Sequence, residues 1–122
     1  MDEGAAKAFA SEWIEAWNLR DLDRVLSPYA DDVVFNSPVA ARVMGDGVVR
    51  GKTDLRSYWS KALPLRPALR FTLLETFGGH ESVAVRYRDE LGNEVIETFI
   101  FDADGKVAVS TACKSLTAGV SS

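Results

Sequence analysis

One cysteine and one histidine are all that this 122-residue chain holds of the residues that build disulfides and most metal sites. Cys113 alone cannot form an intrachain disulfide, and with His80 it falls short of the ligand set of a usual zinc site, so no metal is expected. Long apolar runs are missing too. Nothing approaches the ~18 residues of a membrane helix, and no basic start leads into an apolar stretch. Positive charge is in deficit, 14 Lys and Arg against 18 Asp and Glu, for a net charge of −4. An acidic surface attracts neither phosphate backbones nor anionic lipid, which argues against nucleic acid and membrane as main partners. No glycine-rich phosphate loop is present, and no cofactor is expected. The expectation is a soluble, cytoplasmic chain forming one domain over 1–122, with a disordered polar tail over 117–122.

What is present is helical rhythm first and strand rhythm afterwards. Phe9, Trp13, Ala16 and Trp17 recur at helical spacing, with Lys7, Glu12 and Glu15 on other faces. Asn18 can end this helix, and Asp21 can cap a second one whose apolar edge is Leu22, Val25 and Leu26. Val33, Phe35 and Ser37 then share one face of a short strand. Gly45-Asp46-Gly47 is a turn signal, around which Val39–Met44 and Val48–Arg50 are expected to pair as a small hairpin. A third helix, about Thr53 to Ala62, buries Leu55, Tyr58, Trp59 and Ala62, with Pro64 and Pro67 at its exit. Four strands follow over 69–77, 82–90, 94–101 and 106–114. Gly78-Gly79, expected to take positive backbone angles, Leu91-Gly92-Asn93 and Asp102-Ala103-Asp104-Gly105 connect them. Helices leading into an antiparallel meander define an α+β fold.

Four segments, in this order and spacing, resemble the nuclear transport factor 2-like superfamily, in particular its SnoaL-like and ketosteroid-isomerase-like members. They are Trp13-x-x-Ala16-Trp17-Asn18-x-x-Asp21-Leu22-Asp23, Tyr29-Ala30-Asp31-Asp32-Val33-x-Phe35-x-Ser37-Pro38, Arg50-Gly51 leading into Leu55-Arg56-x-Tyr58-Trp59, and Phe99-Ile100-Phe101-Asp102-x-Asp104-Gly105-Lys106-Val107. The resemblance implies a cone-shaped curved antiparallel sheet wrapped around three helices of the N-terminal half, with an internal pocket. It also implies a homodimer through the outer sheet face. It does not carry an activity, because one fold hosts many. In the resembling isomerases a carboxylate moves a proton while a tyrosine and a protonated acid stabilise the enolate. Here the base position falls at Ser37 and the tyrosine position at Trp13, which cannot do that chemistry. The third position keeps an acid, Glu97.

Glu97 is therefore the candidate catalytic group. If Phe99 and Phe101 point inward, alternation turns Glu97 inward with them, and burial would raise its pKa. The competing reading turns it outward or pairs it with Arg86 or Arg88. Ser37 with Asn36 either hydrogen-bonds a ligand from the wall or makes an ordinary strand-end turn. Tyr87 either reaches the cavity or is a core tyrosine. Trp13, Trp17, Phe35, Tyr58, Trp59 and Phe99 suit an apolar ligand and equally suit a core. His80 is placed at a hairpin tip away from any pocket, Asp31-Asp32 and Asp102/Asp104 at solvated junctions, and Cys113 in the core or wall as an inert thiol. Two functions remain open. One is an apolar small-molecule site, acting as an isomerase, cyclase or hydrolase on a cyclic or polyketide-like carbonyl compound. The other is a non-catalytic carrier or structural dimer. Ala84, Arg86, Thr98, Ile100, Ala108 and Ser110, or their alternates on the last strand, are expected on the outer sheet face.

Overall fold

The computed structural model describes residues 1–116; the expected disordered tail over 117–122 lies outside the described residues. Helix α1 (Glu3–Asn18) starts where the Asp2 carboxylate accepts from the Ala5 amide at 2.8 Å. It buries Ala6, Ala10, Trp13, Ile14, Ala16 and Trp17. The chain leaves it through Arg20, whose φ of 59° is left-handed. Helix α2 (Leu22–Leu26) is capped by Asp21 as its sequence implies. Strand β1 (Tyr29–Asn36) follows, then helix α3 (Pro38–Met44), strand β2 (Val48–Arg50) and helix α4 (Lys52–Ala62), which ends in a 3-10 turn over Leu63–Leu65. The second half is β3 (Thr72–Gly79), β4 (Ser82–Arg88), β5 (Glu94–Phe101) and β6 (Val107–Lys114).

The six strands form one curved, unclosed sheet in the order β2-β1-β6-β5-β4-β3. Every neighbouring pair is antiparallel except β1 and β6, which run parallel, so the sheet is mixed at that seam. The helices lie against its inner face, and tryptophan, tyrosine and phenylalanine rings fill the space between. Among the described residues, no helix is long and apolar enough to cross a membrane.

Three local expectations are corrected. Residues 38–44 are helical, not one arm of a hairpin. Ser37 accepts from the Val39 and Ala40 amides, Pro38 occupies the first turn, and Gly45 closes the helix at φ 78°. Strand β2 pairs with β1 instead, Val34 opposite Arg50. The N-terminal half thus holds four α-helices rather than three. At the β3–β4 reversal the left-handed residue is Glu81, at φ 49°, and neither Gly78 nor Gly79 has a positive angle. Finally, a bulge between Ile100 and Phe101 breaks the alternation of β6, pairing Ile100 with Val109 but Phe101 with Val107. Ser110 therefore faces the core, fully buried, while Cys113 is exposed rather than a core or wall residue.

Two polar clamps tie the end of α1 to the segment before β3 and to the 3-10 turn after α4. Asn18 donates to the Phe71 carbonyl at 2.9 Å and accepts from the Phe71 amide at 2.7 Å. Arg20 donates to the carbonyls of Leu63 and Arg66. Replacing Asn18 by alanine leaves both backbone groups of Phe71 without their partner, and a loss of about 1–3 kcal/mol is expected in denaturant unfolding. An unchanged midpoint would mean that water substitutes fully for the amide.

Candidate functional site

The alternation of β5 decides the site. Val95, Glu97, Phe99 and Phe101 are buried, while Ile96 and Ile100 are 41% and 46% exposed. Glu97 faces inward at 3% exposure. Its cross-strand neighbours are Val85 and Ala112. Arg86 and Arg88 pair with Glu94 on the other face, which removes the outward or ion-paired reading of Glu97.

Glu97 is held by a chain of hydrogen bonds built from four elements. Trp13 Nε1 of α1 donates to the Tyr29 hydroxyl of β1 at 3.1 Å. Tyr29 is hydrogen-bonded to Ser110 of β6, and Ser110 Oγ donates to Glu97 Oε2 at 2.7 Å. The Tyr87 hydroxyl of β4 also bonds the carboxyl. Burial pushes Glu97 up to about 7, against the lowering pull of Ser110 and then Tyr87. Burial, and then the Glu97 charge, raise both Tyr29 and Tyr87 well above the usual phenol range, so neither ionises near neutral pH. Glu97 is thus the group in this network that changes protonation state near neutrality.

A cavity of about 220 Å³ opens over this group. Of the nine residues singled out from the sequence, Trp13, Trp17, Phe35, Ser37, Tyr58, Trp59, Tyr87 and Glu97 line it together. Phe99 does not. It lies beneath the wall, fully buried, with its ring against Phe9 and Trp13. Ser37 reaches the wall, but its hydroxyl oxygen caps α3. Asn36 points the other way, donating to Thr111. The Trp17 indole nitrogen is the buried side-chain polar atom that lacks a hydrogen-bond partner among the described residues. Burying such a donor unpaired costs about 1–3 kcal/mol. His80 stands at the β3–β4 tip, its side chain 94% exposed.

Sequence reasoning missed several lining residues: Arg42 of α3, Arg66 after the 3-10 turn, Phe71 before β3 and Lys114 of β6. It also missed Tyr29 and left Ser110 between the outer face and its alternate. Pairing of Phe99 with Ser110 would have settled the latter, but the bulge hides that register. Among the described residues, no group of three His, Cys, Asp or Glu side chains could hold a metal ion.

A family profile described as the SnoaL-like domain matches residues 10–110. A SnoaL-like protein of unknown function from Burkholderia thailandensis E264 is 38% identical, with a TM-score of 0.90 over 93% of this chain and 97% of that one. Two more distant structures share the fold. AclR from Streptomyces galilaeus is 20% identical, with a TM-score of 0.73 over 95% of this chain and 92% of that one. The epoxide hydrolase/cyclase-like enzyme SalBIII, with a role in pyran ring formation in the polyether salinomycin, is 19% identical, with a TM-score of 0.72 over 95% of each chain. No protein of curated function matches the sequence. The chain belongs to the SnoaL-like family, and its fold is the nuclear transport factor 2-like cone.

The raised carboxyl sets a pH signature. Below the ordinary carboxyl range Glu97 is protonated in both folded and unfolded chains. As pH rises from about 4.5 to about 7, the unfolded chain loses this proton and the folded one keeps it, so stability falls. Above about 7 the loss is complete, at about 3 kcal/mol for a shift of this size. Relative to Glu97→Gln, the wild type is expected to lose about that much stability between acidic and mildly alkaline buffer. Parallel stability curves for the two proteins would show that Glu97 carries no raised pKa.

Proposed function

We propose that this SnoaL-like chain acts as one domain that binds a compact apolar carbonyl compound in its cavity and moves a proton on it without a cofactor. Glu97 is the acid and base in this reading. The observation that carries it is a carboxyl poised near 7 on the wall of an aromatic cavity. Trp13, Trp59 and Phe35 provide the apolar walls, and Tyr87 orients the carboxyl. Steroid-isomerase chemistry is not part of the proposal, since the serine at the base position is used as a helix cap and the indole at the tyrosine position is bound to Tyr29. The cyclase-like activity of SalBIII supports ring-forming or ring-opening chemistry as a class only.

The same two occupied groups favour the second reading, a carrier in which Glu97 merely hydrogen-bonds the ligand. Exchange of solvent deuterium into 2-tetralone, a compact cyclic ketone with acidic α-hydrogens, separates the two. The enzyme reading predicts acceleration by the wild type and a loss of about 100-fold or more in Glu97→Gln. Binding of the ketone without acceleration would leave the carrier.

The homodimer is proposed to form through the outer sheet face, where Phe77, Ile96 and Ile100 are 42%, 41% and 46% exposed. Ile100→Asp is expected to shift the sedimentation coefficient to that of a monomer. An unchanged profile would move the interface elsewhere.

A further inference from the structure

Three cationic side chains line the cavity of a protein whose net charge is −4. Arg66 is already committed, donating to both oxygens of Glu90 at 2.8 and 3.0 Å and lying 3.6 Å from Asp89. Arg42 and Lys114 differ. They reach the lining from α3 and from β6, and among the described residues neither makes an ion pair or hydrogen bond.

Their depth follows from the strand register. Ser110, Ala112 and Lys114 share the inner face of β6. Ser110 sits under Glu97 and hydrogen-bonds it, Ala112 is directly opposite it, and Lys114 is opposite Val95, one pleat further out. Two residues of strand place Lys114 about 7 Å along the wall from the level of Glu97. Exposed Leu91 lines the same outer end, which marks it as the mouth. Arg42 is exposed in the last turn of α3 and reaches the lining from the helical side, where Tyr58 also lines the cavity. The cavity therefore runs from the Glu97 carboxyl at its floor, through aromatic walls, to two uncommitted cations, Arg42 and Lys114, and an Asp89 carboxylate already held by Arg66 and the Leu91 amide.

We infer that the cavity accepts a compact cyclic carboxylic acid, its ring between Trp17, Trp59 and Phe71 and its carboxylate between Arg42 and Lys114. The reactive carbon then lies about one ring-width inward, at Glu97. This assignment rests on the small-molecule reading of the cavity and names the ligand class for it. A planar carboxylate satisfies an arginine and a lysine together, each through charge-assisted hydrogen bonds. Glu97 holds its proton below about 7, and Asp89, the other carboxylate of the lining, is already met by Arg66 and by the Leu91 and Asn93 amides.

Calorimetric titration with 2-naphthoate and with 2-naphthalenemethanol tests it at about pH 6, where Glu97 holds its proton. The two probes share a ring system and differ in the charged group. The carboxylate is expected to bind about tenfold more tightly at low salt, with the preference shrinking as ionic strength rises. In Arg42→Gln/Lys114→Gln the preference should vanish while affinity for the alcohol is unchanged. Equal affinities in the wild type, or a preference surviving the double substitution, would overturn the carboxylate assignment and leave the cavity reading intact. Failure of both probes to bind would overturn the cavity reading and the assignment together.

Discussion

The burial of the Glu97 carboxyl among aromatic rings is the constraint on which the rest of the site depends. A carboxylate removed from water is costly unless it is paired or protonated. No arginine or lysine reaches this one; it has a serine and a tyrosine hydroxyl. The protein's answer is a carboxyl that burial pushes up to about 7, so that it keeps its proton until near neutrality. Ser110, Tyr29 and Trp13 then form a line of donors behind it, each supplied by a different strand or helix. The same line ties α1 to β1, β6 and β5. A buried network of this kind is favourable only when complete, so the side chains that set the chemistry also fix how the helices sit on the sheet.

The sheet supplies the geometry. Parallel pairing of β1 with β6 brings Tyr29 of the first strand and Ser110 of the last to the same floor. The bulge in β6 turns Ser110 inward and leaves Ala112 and Lys114 stepping outward along the wall. Helices α3 and α4 close the opposite side, with Tyr58 and Trp59 inward. Polarity is sorted by depth: the buried Glu97 carboxyl at the floor, rings in the middle, charged side chains further out. That gradient would orient a ligand before any reaction begins.

Much of this was legible in the residues. Helical spacing located α1 and α4, and Asp21 announced its cap; alternation tied Glu97 to Phe99 and Phe101 but left open which way all three point, and the regular register of β5 before Ile100 turns them inward together. Other parts were not. Ser37-Pro38 starts a helix and Gly45-Asp46-Gly47 suggests a hairpin; the two signals compete, and the capped helix prevails through Ala40, which is fully buried. A bulge shifts side-chain parity without changing composition, so the face of Ser110 stayed open between two alternates and Cys113 was expected in the core or wall, whereas Ser110 is buried and Cys113 exposed. Arg42, Arg66 and Lys114 come from three separate elements, and only the assembled cavity brings them to one opening.

The protonation state of Glu97 is what separates a poised acid from an ordinary strand glutamate, and it can be observed directly. A carbon-13 NMR titration of the Glu97 carboxyl, assigned by comparison with Glu97→Gln, reads it at a single atom. The account predicts a midpoint at about 7, with a chemical shift at mildly acidic pH that is characteristic of a protonated acid. A midpoint at the ordinary glutamate value of about 4.3 would contradict it, and would leave the cavity with no group able to exchange a proton near neutral pH.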